Sequence, residues 1–255
     1  MLIAMTRPVS ATLADCELTH LVRERIDVAA AVAQHTAYEA LLASLGATIV
    51  SIAAAPALPD AVFIEDTAIV LDEVAVLTRP GAAARRGESS DVGSALARYR
   101  PLVRMEAPAT LDGGDVLRVG RTLYVGRSAR TNADGIEAVG RLLRPYDYRV
   151  VPVAVDGCLH LKSAVTAVGD GVLLFNPAWV SADAFPGCDA MPVVPGEPYA
   201  ANGLRIGDTL VYGAQFPRTR AQLERRGLHV VPVDLSELAK AEGAVTCCSL
   251  VFDDD

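Results

Sequence analysis

The alternation of apolar and polar positions divides the chain into short strands and helices. Leu2 to Thr6 reads as a first strand, ended by Arg7-Pro8. A loop through Cys16-Glu-Leu18-Thr-His20 follows. From Asp27 to Leu45, the residues Val28, Ala31, Val32, His35, Tyr38, Leu41, Leu42 and Leu45 recur at helical spacing. Gly46 stands where a helix closes, and Ala47–Ile52 reads as a strand. Pro56 to Asp60 is a turn, and Val62–Ile64 is expected to be a short strand after it.

Beyond this point one pattern recurs. Ala68–Thr78 is strand, polar turn, strand, followed by a helix-compatible stretch near Ser89–Tyr99. Val116–Gly126 repeats it, with a helix near Ala133–Leu143 and a strand at Tyr148–Val153. Ala164–Phe175 is a third copy whose helix is weak or absent. Leu204–Gly213 is a fourth, with a helix near Thr219–Arg226 and a strand at His229–Val233. Arg118-Val-Gly-Arg-Thr-Leu and Arg205-Ile-Gly-Asp-Thr-Leu match almost letter for letter. Copies at this spacing indicate repeated supersecondary units. With the first strand–helix–strand portion added, about five units result. The expectation is an α/β fold, a closed ring of ββαβ modules whose loops meet at a central axis.

Composition narrows the function classes. The 255 residues suit a single domain over 1–255 and can bury a core without staples. Mean hydropathy is +0.30, yet the apolar runs stop well short of the roughly 18 residues that a membrane span needs. The N-terminus lacks the basic start and long apolar segment of a secretion signal, so a cytoplasmic protein is expected. A formal charge of −8 argues against a nucleic-acid partner and is compatible with a cationic ligand. Cys16, Cys158, Cys188, Cys247 and Cys248 are odd in number and irregular in spacing, so reduced thiols are expected. The four histidines show no zinc-ligand spacing, and no structural metal is expected.

Candidate chemistry lies in three remote stretches. Cys247 and Cys248 follow a small-residue loop and precede a short apolar strand. If the pair sits on a strand, only one of the two can face a site, and the sequence leaves open which. A thiol reacts as thiolate, so it needs a partner that takes its proton. His160, between Leu159 and Leu161, is the best candidate. Asp112 and Asp115 flank Gly113-Gly114, where the backbone can pass close to a ligand while one aspartate points inward. Glu65 and Asp66 lie between apolar stretches, where buried charge demands a counter-charge: a cationic ligand or one of the chain's own arginines. Arg85, Arg86 and Arg130 are forks suited to a carboxylate.

These stretches resemble the dimethylarginine dimethylaminohydrolase family of the guanidino-group-modifying (pentein) superfamily. Seven segments match in the family's order: Leu58-Pro-Asp-Ala-Val-Phe-Ile-Glu-Asp66, Thr78-Arg-Pro-Gly-Ala-Ala-Ala-Arg-Arg-Gly-Glu88, Leu111-Asp-Gly-Gly-Asp-Val-Leu117, Ser128-Ala-Arg-Thr-Asn132, Leu159-His-Leu-Lys-Ser163, Tyr199-Ala-Ala-Asn202 and Thr246-Cys-Cys-Ser249. The resemblance implies a five-fold pseudosymmetric α/β propeller and a cofactor-free cysteine hydrolase that converts Nω-methylated arginines to citrulline through an S-alkylthiouronium intermediate. Cys247 aligns with the nucleophile, His160 with the general acid/base, and Asp112 with the acid that orients the histidine. Asp66 and Glu65 would hold the guanidinium. Asp60 and the backbones of Leu18 and Ala241 would receive the α-ammonium, and Arg85 and Arg130 the α-carboxylate. Thr246 would line the site, and the loop around Leu18 would be a mobile lid. The implied partner is a small guanidino amino acid, with a homodimer left open and adventitious zinc binding at the cysteine pair a side possibility. Two residues depart from the common pattern: Asp112 where some relatives carry glutamate, and Glu242 where aspartate is common. An arginine deiminase-like or citrulline-acting hydrolase and a non-enzymatic propeller are the rival readings.

Overall fold

The computed structural model describes residues 1–254, and it contains five three-stranded sheets. In chain order the elements are β1 (Leu2–Thr6), α1 (Val28–Ser44), β2 (Thr48–Ser51), β3 (Ala68–Val70), β4 (Ala75–Leu77), α2 (Ser89–Leu96) and β5 (Leu102–Arg104). Next come β6 (Val116–Val119), β7 (Thr122–Arg127), α3 (Ala133–Leu143), β8 (Arg149–Ala154), α4 (Leu161–Ala164), β9 (Val165–Gly169), β10 (Val172–Phe175) and β11 (Asp189–Pro192). The chain ends with β12 (Gly203–Ile206), β13 (Thr209–Gly213), α5 (Pro217–Arg225), β14 (His229–Val233), α6 (Ser236–Ala239) and β15 (Leu250–Asp253).

Every sheet follows one rule: the inner edge strand is antiparallel to the middle strand, and the middle strand is parallel to the third. A parallel neighbour requires a crossover, and a helix supplies it in four modules. In β9–β10–β11 the crossover holds only a 3-10 turn at Ala182–Ala184, as the weak helical pattern there implied. The first sheet joins the chain's two ends. β15 supplies the inner strand and β1 the middle one, with Leu2 opposite Asp253 and Met5 opposite Leu250.

Local chemistry accounts for the element boundaries. Asp27 caps α1, its carboxylate accepting from Ala30 N at 3.0 Å, and Asn132 caps α3 through Gly135 N at 2.7 Å. Helix α1 ends in a left-handed Gly46 (φ +93°), with Gly46 N–H donating to Ala43 O and Ala47 N–H to Leu42 O. The near-identical Arg118 and Arg205 segments prove to be equivalent hairpins. Each arginine pairs with an aspartate on the hairpin of the preceding module, Arg118 with Asp72 at 2.6 Å and Arg205 with Asp170 at 2.5 Å.

The core lies in the seams between modules. One apolar cluster joins Ile3, Met5 and Leu250 to Ile64, Ala75 and Leu96; the next joins Ile69 and Val76 to Leu123 and Val139. A third joins Leu117 and Tyr124 to Leu173 and Phe185, a fourth Leu174 and Met191 to Tyr212 and Leu223, and a fifth Val211 and Val233 to Ala4 and Tyr38. An open array of five modules has four seams, and a ring has five. Five seam clusters therefore make this a closed α/β propeller. Along its axis a cavity of about 230 Å³ is lined by residues of β3, β6, β9, β12 and β15.

One expectation is corrected. Val62–Ile64 is not a strand: Phe63 N–H closes a turn onto Asp60 O, and Ile64–Thr67 is a 3-10 turn. Cys247 and Cys248 lie ahead of β15, in a turn where Cys247 N–H is drawn back to Ala244 O at 3.1 Å, so strand alternation does not decide which of them faces the site. The strand β11 was not anticipated; its Asp-Ala-Met-Pro sequence has no strand signature. Among the described residues no helix is long and apolar enough to cross a membrane.

Candidate active site

In each module, the few residues before the innermost strand carry a polar side chain to the axis. Glu65 and Asp66 precede β3, Asp112 precedes β6, His160 and Lys162 precede β9, Asn202 precedes β12, and Thr246 and Cys247 precede β15. Residues far apart in sequence meet because they occupy equivalent places in a ring.

His160 stands just ahead of the one-turn helix α4 and is buried at 4% exposure. Its Nε2 lies 3.0 Å from Asp112 Oδ2, and its Nδ1 lies 3.8 Å from Asp66 Oδ1. Burial opposes a charged imidazole, but Asp66, the hydrogen bond to Asp112, and Asp115 outweigh it, so the His160 pKa is pushed up to about 9. Asp112 is fully buried and also accepts from Gly81 N–H at 2.9 Å. Asp66 accepts from Gly114 N–H at 2.9 Å and from Arg85 Nη1 at 2.6 Å. Burial works against its ionised form; His160 and Arg85 prevail and hold its pKa at about 2.

The glycines of the Asp112–Asp115 turn allow this approach. A Cβ on Gly114 would stand 2.6 Å from His160 Nδ1, and one on Gly113 would stand 2.0 Å from the Glu65 carbonyl. Asp115 points inward as well, but as a brace. It accepts from Ser128 and Thr131 hydroxyls at 2.6 Å and from Leu161 N–H at 2.9 Å, tying the Ser128–Asn132 loop to the histidine's helix. Burial lifts its pKa to about 6 against those bonds.

The cysteine pair divides by burial. Cys248 is fully buried among the core side chains of α1, while Cys247 retains partial exposure. Cys247 O accepts from Glu65 N–H at 3.2 Å. Burial raises the Cys247 thiol pKa well above its ordinary value, and the carboxylates of Glu65 and Asp66 add to the effect. The resting pair is therefore a neutral thiol near an imidazolium.

Glu65 and Thr246 form the floor. Glu65 pairs with Lys162 Nζ at 2.5 Å and accepts from Thr246 Oγ1 at 2.9 Å. Asn202 links this floor to the turn that carries Cys247. Its Nδ2 reaches Lys162 O and Thr246 Oγ1, both at 3.0 Å, and its Oδ1 accepts from Thr246 N–H at 3.1 Å. Lys162 and Asn202 belong to recognisable segments, yet nothing in their residue types marks them, whereas Asp115 is one of the two candidate aspartates of its turn and both are buried.

The outer residues distribute less evenly. Arg130 is buried; its Nη2 donates to Thr19 Oγ1 at 3.1 Å, while its Nη1 has no hydrogen-bond partner among the described residues. That nitrogen lies 3.9 Å from Asp112 Oδ2, an ion pair without a hydrogen bond, so it can still donate to a carboxylate. Arg85 departs from the sequence expectation of a carboxylate receptor. At 3% exposure it is bonded to Asp66, to Glu88 at 2.8 Å and to Phe63 O at 3.0 Å, because a buried guanidinium without counter-charge would be costly. Asp60 accepts from Glu17 N–H at 3.1 Å, and burial raises its pKa against nearby arginines. The loop carrying Leu18 crosses above, and Ala241 lies buried just before Glu242.

One ligand atom from each of Asp66, Asp112 and His160 lies within 4.8 Å of the others, a cluster able to take a cation. Chemically, the site offers a thiol, an imidazolium held by two carboxylates, and the further carboxylate of Glu65.

Comparison with known proteins places this arrangement. The family described as "N,N dimethylarginine dimethylhydrolase, eukaryotic" matches residues 14–182. An N(G),N(G)-dimethylarginine dimethylaminohydrolase of Streptomyces coelicolor is 41% identical over 97% of this chain and 95% of its own length. Among solved structures, DDAH from Pseudomonas aeruginosa, a cysteine-to-serine mutant complexed with citrulline, superimposes with a TM-score of 0.93 at 33% identity, covering 98% of both chains. A dimethylarginine dimethylaminohydrolase in which a histidine is replaced by glycine, solved as an adduct with S-methyl-L-thiocitrulline, superimposes at 0.92 with 33% identity, covering 99% of this chain and all of that one.

Proposed function

The chain belongs to the dimethylarginine dimethylaminohydrolase family, and from that membership we propose that it hydrolyses Nω-methylated L-arginine to L-citrulline and a methylamine, as one catalytic unit. The observation that carries the reading is the buried His160, charged and bonded to Asp112, in a site whose thiol carries its proton at rest.

Guanidinium is a poor electrophile, so attack requires a thiolate and a substrate kept cationic. In our reading the substrate guanidinium lies between Asp66 and Glu65. Its positive charge offsets the carboxylates that raise the Cys247 pKa, and the thiol then gives its proton to solvent water. Sγ bonds to the guanidinium carbon, and the tetrahedral adduct collapses as the methylated nitrogen leaves. His160 supplies the proton that nitrogen needs. What remains is an S-alkylthiouronium on Cys247. A water then loses a proton to His160 and adds to the same carbon, the C–S bond breaks, and the ureido group of citrulline is formed. Asp112 keeps the imidazole oriented throughout.

For the amino-acid end, we assign the α-carboxylate to Arg130, whose Nη1 has no hydrogen-bond partner among the described residues, and the α-ammonium to Asp60 with the backbones of Leu18 and Ala241. Arg85 is committed to Asp66 and Glu88, so its part is to shape the acidic wall. All five cysteines are free, which suits a reducing compartment, and we place the protein in the cytoplasm.

Citrulline release from asymmetric dimethylarginine, monomethylarginine and arginine tests the proposal, with Cys247→Ser and Cys248→Ser alongside. Turnover of the methylated substrates is expected, with Cys247→Ser reduced by at least about a thousandfold and Cys248→Ser active. Release from arginine alone would replace the reading with a deiminase.

A further inference from the structure

Glu242 holds a backbone conformation that disfavours its own side chain. Helix α6 ends in the arrangement already seen after α1: Glu242 N–H donates to Ala239 O, and Gly243 N–H donates to Leu238 O. The residue between helix and loop in this arrangement is left-handed, and glycine is favoured there. After α1 that residue is Gly46. After α6 it is Glu242, at φ +61°. A side chain kept at such a place points to a use for it.

The use is visible in its bonds. The Glu242 carboxylate accepts from three consecutive backbone amides of the loop over the site: Thr19 N–H at 2.8 Å, His20 N–H at 2.6 Å and Leu21 N–H at 2.9 Å. On the other side of Leu18, Glu17 N–H donates to Asp60. Thr19 also takes a hydrogen bond from Arg130. Leu18 is thus flanked by residues whose amides are fixed by Asp60 and Glu242, and the same segment leans on the arginine whose Nη1 has no hydrogen-bond partner among the described residues.

We propose that Glu242 is a positioning residue, a clasp that holds residues 19–21 so that the loop presents its Leu18 backbone to the substrate's α-amino end. The identity of that end rests on the functional reading above; the clasp itself does not. Glu242 touches no reacting atom, so its effect falls on binding of the amino-acid portion.

Two variants separate the clasp from general stabilisation. Glu242→Gln keeps one carbonyl acceptor and loses the charge. Glu242→Gly removes the carboxylate and relieves the left-handed backbone. With asymmetric dimethylarginine, both variants are expected to raise KM about tenfold or more with kcat within about threefold. With N,N-dimethyl-N′-propylguanidine, which lacks the amino-acid end, kcat/KM is expected to stay at the wild-type value. Glu242→Gly should melt no lower than wild type, and trypsin should cut after Arg23 and Arg25 about tenfold faster in both variants. Unchanged KM and unchanged cleavage in folded Glu242→Gly would overturn the proposal, as would a fall in kcat at constant KM or a loss on both substrates with a lower melting temperature. If wild type turned over no methylated arginine, the functional reading would fall, and the cleavage rates would still decide the clasp.

Discussion

At the scale of single residues, charge placement governs the site. His160 has a folded pKa of about 9, above its ordinary 6.5. It therefore contributes stability that is complete below about pH 6.5 and lost as pH rises through about 9. Asp66 works in the opposite sense: its contribution is present above about pH 4 and lost as pH falls through about 2. Asp115 has its midpoint near pH 6 and is largely ionised above about pH 7, where the histidine still titrates. In Asp112→Asn the imidazole loses its hydrogen-bonded carboxylate. NMR titration of His160 is expected to show a midpoint lower by about one unit, and the fall in melting temperature on the alkaline side should begin at correspondingly lower pH. An unshifted midpoint would mean that Asp66 and Asp115 set the charge without Asp112. For Cys248, full burial among core side chains implies that replacement by serine costs about 1–2 kcal/mol in a denaturant melt, by burying a more polar group whose one acceptor, Ala244 O, lies 3.7 Å from the thiol.

At the scale of elements, the turn Asp112–Asp115 concentrates the constraints. Its two glycines face different neighbours, so alanine should fail at them in different ways. At Gly113 the added Cβ meets backbone, the Glu65 carbonyl at 2.0 Å. Backbone cannot step aside, and Gly113→Ala is expected to lose about 2–4 kcal/mol in a denaturant melt, at or above the usual cost of overpacking. At Gly114 the Cβ meets the His160 ring and the Asp66 carboxylate, both side chains. Gly114→Ala should therefore remain folded while kcat/KM falls about a hundredfold, because a displacement near 1 Å at the reacting centre costs that much. Equal melting temperatures for the two variants would refute this division. The 3-10 turn that replaces the expected strand at Val62–Ile64 belongs to the same scale. A strand would send Glu65 and Asp66 to opposite faces, whereas the turn keeps both at the axis.

At the scale of the whole molecule, the ring closes through its ends. Met1 N donates to Asp254 O at 2.7 Å, and Asp254 N–H donates to Met1 O at 2.8 Å, so the termini adjoin within one sheet. A circular permutant that joins residue 254 to residue 1 through a short linker and opens at the exposed Gly207–Asp208 hairpin turn is expected to fold and keep its activity. Removing residues 249–255 should instead unfold the protein cooperatively, since it strips β15 from its sheet and Leu250 and Phe252 from a seam. A truncated chain with wild-type melting would contradict a ring held by its seams.

Strands, helices and their repetition were legible in the sequence because they depend on local periodicity and capping. Helix α3 matches its expected span, Asp27 and Gly46 bound α1 as their chemistry requires, and the weak helix of the third unit is a single 3-10 turn. The near-identity of the Arg118 and Arg205 segments was enough to imply modules, and modules a ring. Motif order pointed to Cys247, His160 and Asp112 because nucleophile, base and carboxylate are distinctive residue types. Tertiary structure alone decided the rest. Which cysteine is exposed depends on a turn drawn back to Ala244, not on strand alternation. Whether Arg85 or Arg130 keeps a guanidinium nitrogen without a hydrogen bond depends on which one finds Asp66 and Glu88 at hydrogen-bonding distance. The roles of Asn202, Lys162 and Glu242 come from partners in other modules. The physical reason is one of range: periodicity and capping act within a few residues, whereas charge pairing and desolvation are set by neighbours that only ring closure brings together.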